Sequence, residues 1–487
     1  MQPKTRLTKS HTCEWRAQAA VLEEQLRALN ALSAEQAKRL AELERLFKRR
    51  SEKQPKLAPV QKPKRTAIEA KATRNERAAE RVVRMETVVE EIAVPAAEKH
   101  CAVCGDTAFT KFSAGKTSEV VSYVQGYFRK VVYHRETCKC QCGKTLVTAP
   151  APARWSSKTK YAASVASHLI VQKCAYSTPL YRLEAAFAQQ GLMMPRSTMN
   201  DLLHRAAVTL EPLRKVLVYA LREERLVHID ETSFNMTAQK RKKSYMWAFV
   251  GTKATLYDFS LSRAGVTPVK ILGATTGFFV ADDFSGYNQL KSLGGRIRCG
   301  CMAHTRRGFS EAGPVPEAEL ALALIQEIYA VEHEAKRLGV HGTNAHLVLR
   351  QARSTPAFIA LMRLSHRIIA EHSPKTILGK AARYAWTNLR SLSEFLRDAR
   401  IPPDNNIAEN TLRIIALARK NYLFAHSEDA ANGLALLYSL LASCKQNQVN
   451  PLCYFEDVLN RILDEKQANL RSLLPDRWTP KVDPVVG

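Results

Sequence analysis

Apolar residues recur with three different periods along the chain of 487 residues. Between Trp15 and Lys48 they follow a heptad, with Leu26, Ser33, Leu40 and Phe47 at position a and Leu22, Leu29, Gln36 and Leu43 at position d. The seam is apolar at both ends, polar at Ser33 and Gln36, and flanked by charge. It predicts a coiled-coil, leucine-zipper-like arm over residues 1–50; the plainer reading is an amphipathic helix on the protein's own surface. Residues 155–222 carry the helical period. There Leu180–Gln190, a break at Gly191 and Arg196–Ala207 have helix–turn–helix spacing, although most helix–Gly–helix pairs only pack. From Arg225 the pattern becomes that of strands, over Leu226–Asp230, Tyr245–Thr252, Thr255–Leu261, Gly277–Ala281 and Arg296–Cys301. Three hairpin-like strands, followed by strands separated by helices, predict a mixed sheet with helices packed on it. Residues 316–400 read as helical, Pro402-Pro403 stops the chain, Asn406–Lys420 forms another helix, and apolar helices run on to about Leu474.

No uncharged apolar run reaches the ~18 residues a membrane span needs. The longest, Leu434–Cys444, is stopped by Lys445, and the N-terminus is polar without a signal peptide pattern, so a cytoplasmic protein is expected. Length alone suggests about three or four domains. Charge changes the picture more. Lys plus Arg number 73 against 46 Asp plus Glu, a net charge of +27 that calls for a polyanionic partner, nucleic acid first. Residues 48–84 hold 13 of those bases against 4 acids, with Pro55, Pro59 and Pro63 interrupting any helix, and no glycine occurs before Gly105. An extended arm and a basic tether therefore precede the compact part, the tether being either a solvated charge run or a phosphate contact.

Eleven cysteines in a reducing compartment point to metal binding or burial before disulfides. Cys101-Ala-Val-Cys104-Gly105 is a knuckle that turns two thiolates toward one ion. Cys138, Cys140 and Cys142 form a second cluster able to complete a tetrahedral zinc site. Three thiols compete for two places there; Cys138 and Cys142 are favoured, and His100 and His134 are spare nitrogen donors. Cys299, Cys301 and His304 also have a metal-like spacing, but a buried strand entering a basic helix makes core thiols the better reading. Trp247 and Tyr257 read as core.

Asp230 and Asp282 each end a predicted core strand, where a carboxylate costs desolvation unless positive charge meets it. With a third acid they would form a hard-oxygen site for Mg²⁺. A pair of ions about 3.5–4 Å apart could clamp the attacking and leaving oxygens of a phosphodiester. Spacing alone does not select the third acid among 46.

Several stretches resemble one family. They are His228-Ile-Asp-Glu-Thr-Ser-Phe234, Asp282-Asp-Phe-Ser-Gly-Tyr-Asn288, Cys301-Met-Ala-His-Thr-Arg-Arg-Gly-Phe309, Asp404-Asn-Asn-Ile-Ala-Glu-Asn-Thr-Leu-Arg413 and Ala418-Arg-Lys-Asn-Tyr-Leu-Phe-Ala425. So do Leu46-Phe-Lys-Arg-Arg-Ser-Glu52, Pro179-Leu-Tyr-Arg182 with Arg196-Ser-Thr198, and the tail Leu437–Trp478. In order and over nearly the whole chain they are similar to the IS66 family of bacterial insertion-sequence transposases. The resemblance implies a ribonuclease-H-like core with a DDE triad of Asp230, Asp282 and Glu409, holding Mg²⁺ or Mn²⁺. Asp283 stands where that family usually has glycine and is a rival to Asp282. Strand alternation and the position of Gly286-Tyr287 favour Asp282 and leave Asp283 to the turn. Plainer roles exist: Asp230 capping a turn with Thr232, Asp282 or Asp283 opening one, Glu409 in a capping box with Asn406 or paired with Arg413. His304, Arg306 and Arg307 would face the acids or DNA phosphates, while Arg413, Arg419 and Lys420 put positive charge on the helix bearing Glu409.

The reading is thus a multidomain chain, mainly α with an α/β core. Its parts are the arm (1–50), a basic linker (51–95), a zinc-binding module (96–150), a helical DNA-binding region (151–222), the first part of the core (223–313), a helical insertion (314–403), the catalytic helix completing the core (404–430) and a helical C-terminal segment (431–487). The resemblance implies cleavage of DNA at the ends of a mobile element, then attack of the freed 3′-hydroxyl on target DNA. The implied setting is bacterial and nucleoid-associated. Partners would be DNA ends, target DNA and a second subunit through the coiled coil, with no membrane. The alternatives are a nuclease of the same fold that does not join, and a non-catalytic zinc-containing DNA-binding protein.

Overall fold

A computed structural model describes residues 126–480 except 140–145, 150–153, 157–158, 238–242 and 422–424. The chain divides after Gly126 into two units, and the described elements all lie in the second. The coiled-coil arm, the basic linker and Cys101 and Cys104 fall outside the described residues. A short antiparallel hairpin opens the described part, β1 (Thr137–Lys139) with β2 (Leu146–Thr148).

Four helices follow: α1 (Ala163–Ile170), α2 (Leu180–Gln189), α3 (Arg196–Leu210) and α4 (Pro212–Glu223). Their apolar residues come at three- and four-residue intervals, as in Met199, Leu202, Leu203, Ala206, Ala207 and Leu210 of α3, all buried. The pair α2 and α3 is where the helix–Gly–helix spacing predicts it, with Gly191 at φ +83° in the turn.

The sheet is mixed and five-stranded, in the order β5-β4-β3-β6-β7. Strands β3 (Leu226–Phe234), β4 (Ser244–Val250) and β5 (Thr255–Ser260) form an antiparallel meander, and β6 (Gly277–Val280) and β7 (Arg296–Cys299) add in parallel. Two short helices lie between the later strands, α5 (Val266–Leu272) and α6 (Asn288–Ser292). Strand β4 reads Tyr-Met-Trp-Ala-Phe-Val, a nearly continuous apolar run, because both its faces are covered. Trp247 and Tyr257 are buried, as expected. The strand predicted to end at Asp230 continues to Phe234, because β4 keeps pairing with β3 beyond the point where β6 stops. Asp230 is therefore a mid-strand residue at the end of the parallel half only.

After β7 the chain enters α7 (Met302–Glu311), then the helical stretch α8 (Pro316–Arg337), α9 (Asn344–Leu349), α10 (Thr355–Glu371), α11 (Ile377–Thr387) and α12 (Leu389–Ser393). Helix α13 (Asn406–Asn421) returns to lie on β3 and β4, and α14 (Glu428–Gln446) and α15 (Pro451–Arg461) complete the chain. Among the described residues no helix is long and apolar enough to cross a membrane.

Edge strand β5 is closed off by α14. The Ser439 and Ser443 hydroxyls accept the Tyr257 and Thr255 backbone N–H groups at 2.7 and 3.0 Å. An exposed row of donors is thereby removed from solvent and from other chains. Ser439→Ala is expected to leave the Tyr257 N–H buried and unpaired, lowering stability by about 1–3 kcal/mol in urea denaturation. An unchanged midpoint would show that water replaces the hydroxyl.

Candidate active site

The sequence-predicted acids lie on three elements, and the charges of Asp282 and Glu409 reach Asp230. Asp230 lies on the face of β3 covered by α13, and its Oδ1 accepts the Glu231 N–H at 2.9 Å. Asp282 comes two residues after β6, and its Oδ1 accepts the Phe284 N–H at 3.0 Å, closing a turn. Glu409 stands in the first turn of α13. Burial pushes the Asp230 carboxyl up to about 7, helped by the negative charges of Glu231, Asp282 and Glu409. A carboxyl raised by burial and by neighbouring negative charge is one that a cation would stabilise in its charged form.

The start of α13 is pinned to β3 by one buried side chain. Asn405 accepts at Oδ1 or shares a hydrogen bond with His228 Nδ1 at 3.0 Å, donates from Nδ2 to the Ile229 carbonyl at 2.8 Å, and donates its backbone N–H to Cys301 Sγ at 3.2 Å. These contacts flank Asp230 in sequence and Glu409 in space, which accounts for the Asp-Asn-Asn stretch. Asp404 Oδ1 accepts the Asn406 N–H at 3.1 Å, so the helix entry is capped from outside. Glu409 meets His304 and Arg307 at 3.8 and 3.7 Å instead of Arg413. Its Oε1 and the His304 Nδ1 are buried without a hydrogen-bond partner.

Donor atoms of Cys301, His304 and Glu409 lie within 4.8 Å of one another. Burial pushes the Cys301 thiol up to about 11, so it stays protonated and is a poor ligand. Cys299 is buried as well, in keeping with core thiols. The remaining donors of that group are the Glu409 carboxylate, with an orphaned oxygen, and the His304 imidazole. Asp230 and Asp282 add carboxylate oxygens in the neighbourhood, and oxygen donors of this kind suit a hard divalent cation.

The neighbouring acids 282 and 283 part company. Asp283 faces Arg298 at 3.5 Å and is 43% exposed, against 23% for Asp282. The turn cap is Asp282, where the strand pattern leaves that role to Asp283. The reason is that β6 ends at Val280, with only the Ala281 N–H still bonded to the Cys299 carbonyl, so that Asp282 already lies off the ladder.

Arg306 and Arg307 are exposed on α7, and Arg413 is exposed on α13. Arg419 is turned inward: its Nη1 donates to Thr232 Oγ1 at 2.8 Å and to the Ser233 carbonyl at 2.6 Å, bracing α13 against β3. The Lys420 side chain lies outside the described residues, as do Cys140 and Cys142; Cys138 is exposed on β1 and in no disulfide.

Sequence reasoning missed Glu231, Arg263, Tyr287 and Arg298. Glu231 is 1% exposed, bonded to the Arg263 guanidinium and, at 2.6 Å, to the Tyr287 hydroxyl. Burial raises its carboxyl above the ordinary range, against the pull of those two donors. In the sequence it is one more acid in Asp-Glu-Thr, and its partners lie 32 and 56 residues away.

Residues 158–433 match the model of the transposase IS66 family, and residues 439–475 match that of the IS66 C-terminal element. The uncharacterized protein y4jD of Sinorhizobium fredii is 29% identical over 74% of this chain and 75% of its own length. The uncharacterized protein y4qI of the same organism is 28% identical over 82% of this chain and 76% of its own.

Proposed function

The chain belongs to the IS66 family of transposases, and on that premise we propose that it cuts and joins DNA at the ends of an insertion sequence by a DDE mechanism. The observation that carries the reading is that Asp282, in the turn after β6, and Glu409, on α13, lie near enough to Asp230 on β3 to add their negative charge to the burial and the Glu231 charge that raise its carboxyl. The sheet order, an antiparallel meander extended by two parallel strands with α13 packed over β3, supports a ribonuclease-H-like core. The family implies use of divalent metal, and the three carboxylates would hold it. When bound, such ions activate the attacking oxygen and neutralise charge on the leaving one. The chain's own groups do the rest. Asn405 and Arg419 hold the catalytic helix at a set distance from β3, and Arg306, Arg307 and Arg413 offer exposed guanidinium groups to DNA phosphates. No covalent protein–DNA bond is required.

Incubation of the full chain with element-end DNA, one substrate intact and one pre-cut, tests this reading in Mg²⁺. Nicking of the first and joining of the second are expected. Nicking without joining would leave a nuclease, and neither activity would leave a DNA-binding protein.

Binding to that DNA is expected to weaken by a factor on the order of 10³ between about 50 and 200 mM salt if about six phosphates are contacted. An affinity flat over that range, measured by fluorescence anisotropy, would remove the case for the basic arm and α7. The arm would pair two subunits through its heptad. The zinc module would use Cys101, Cys104, Cys138 and Cys142. About one zinc per chain is expected by elemental analysis, lost in Cys101→Ser because a three-ligand structural site is not closed.

A further inference from the structure

We propose that Glu231 is a positioning residue for the reaction: acting through Arg263 and Tyr287, it holds the turn that presents Asp282. The inference rests on the DDE reading and names a residue outside the triad.

Glu231 is adjacent to Asp230 on β3, so its side chain points to the opposite face of the sheet. There it pairs across the ladder with Trp247, whose ring meets the Tyr287 ring edge-on at 5.9 Å. Both carboxylate oxygens are taken, one by Arg263 and the other by the Tyr287 hydroxyl. A fully buried carboxylate with both oxygens bonded is held in one orientation. It is also not free to ligate an ion.

From Glu231 two arms reach the Asp282 turn. Arg263 places its Cζ over the Phe284 ring, 4.1 Å from the centroid, and brings Nη2 to 3.9 Å from Asp282 Oδ2. Phe284 is the residue whose N–H Asp282 caps. Tyr287 touches the Phe284 ring edge-on at 5.8 Å and closes the loop from the other side. The backbone between is packed without slack. A Cβ on Gly286 would stand 2.3 Å from the Phe284 ring, and one on Gly265 would stand 2.0 Å from the Gly286 carbonyl. The loop carrying Arg263 and the turn carrying Asp282 therefore touch backbone to backbone. Glu231 ties both to the strand that carries Asp230, so the separation of two metal-binding acids is set on the far face of the sheet.

The test uses the full chain with Glu231→Gln, Arg263→Lys and Tyr287→Phe. Two quantities are read: the Mg²⁺ dependence of cleavage on element-end DNA, and Mn²⁺ binding followed by electron paramagnetic resonance. A residue that places a ligand is worth about 10–100-fold in metal affinity or activity. Glu231→Gln is therefore expected to raise the half-saturating Mg²⁺ concentration by roughly tenfold or more, with a melting temperature near that of the parent and partial recovery in Mn²⁺. The double variant Glu231→Gln/Arg263→Lys should be little worse than either single one, since both break the same link. An unchanged Mg²⁺ dependence overturns the proposal. So does loss of one bound Mn²⁺ without any recovery, which would make Glu231 a ligand itself. Should Glu231→Gln not fold, Tyr287→Phe carries the same expectation and the same refutation, because it removes one hydroxyl only. Asp230→Asn separates the two levels. If that variant still cleaves, the DDE reading has failed; if it is inactive while Glu231→Gln is normal, only the positioning role has.

Discussion

Asp282→Asn is expected to abolish DNA cleavage, by a factor on the order of 10³ or more, because a lost ligand charge removes the metal clamp. Asp283→Asn should retain most of the activity. The two carboxylates are neighbours in sequence and nearly equivalent on paper, so the pair is a sharp test of register. In the structure Asp282 lies in the electrostatic field of Asp230, and Asp283 is spent on Arg298 at 3.5 Å. Losing the Asp283 charge frees Arg298, whose guanidinium also donates to the Asp282 carbonyl. A modest effect on the turn is thus expected, and not loss of chemistry. Single-turnover cleavage at saturating Mg²⁺ distinguishes the cases. Reversed behaviour of the two variants would mean that the ligand register is shifted by one residue. Full activity in both would remove the DDE assignment.

The largest stability effect is expected at Arg350, in the helical stretch between β7 and α13. Its side chain is fully buried, donating from Nε and Nη2 to the two oxygens of Glu332 at 2.7 and 2.8 Å. Its Nη1 donates to the Phe395 and Asp398 carbonyls at 2.6 and 3.1 Å. One guanidinium thus joins α8 to the segment that leads, through Pro402 and Pro403, to α13. Arg350→Met leaves a buried charge on Glu332 and takes a donor from the Phe395 carbonyl, while the Asp398 carbonyl keeps the Ile401 N–H. A broken buried pair of this kind costs about 3–5 kcal/mol. Calorimetry should show the melting temperature falling by on the order of 10 °C. The double variant Glu332→Leu/Arg350→Met should be less damaged than Arg350→Met, since no charge is then stranded. A double variant worse than the single one would assign the effect to packing.

The same cluster carries a pH dependence. Burial, and then the positive charge of Arg350, hold the His346 imidazole below its ordinary 6.5. Its Nδ1 accepts the Gly342 N–H at 3.2 Å, which requires the neutral ring. Between 6.5 and the lowered folded value the unfolded chain binds more protons than the folded one. Stability should therefore fall as pH drops below about 6.5, and His346→Gln should flatten that part of the profile. A slope unchanged in the variant would place the effect on other groups.

Much of this molecule is written in local pattern. The strands and helices from Leu180 to Leu474 follow from apolar period and from glycine and proline breaks, because burying one face of an element needs only the right spacing within it. The acids were legible for a related reason: a carboxylate in an apolar strand is anomalous wherever the strand goes. Their selection as a triad came from motif resemblance, since nothing in composition or spacing marks Glu409 out among 46 acids.

What packing alone decided lies in contacts between distant residues. Asn405 bonds the Ile229 carbonyl across 176 positions, and Arg419 reaches Ser233 across 186. Arg419 looks like a DNA-facing base in sequence, yet it faces inward, because α13 lies along β3 and the end of that strand offers acceptors. Glu231 looks like a spare acid, yet both its oxygens are bonded, to Arg263 and Tyr287. The extension of β3 beyond Asp230 likewise depended on β4 being longer than β6. A side chain's period tells which face it takes. Which partner waits on that face is settled only when elements far apart in the chain are brought to within hydrogen-bond reach.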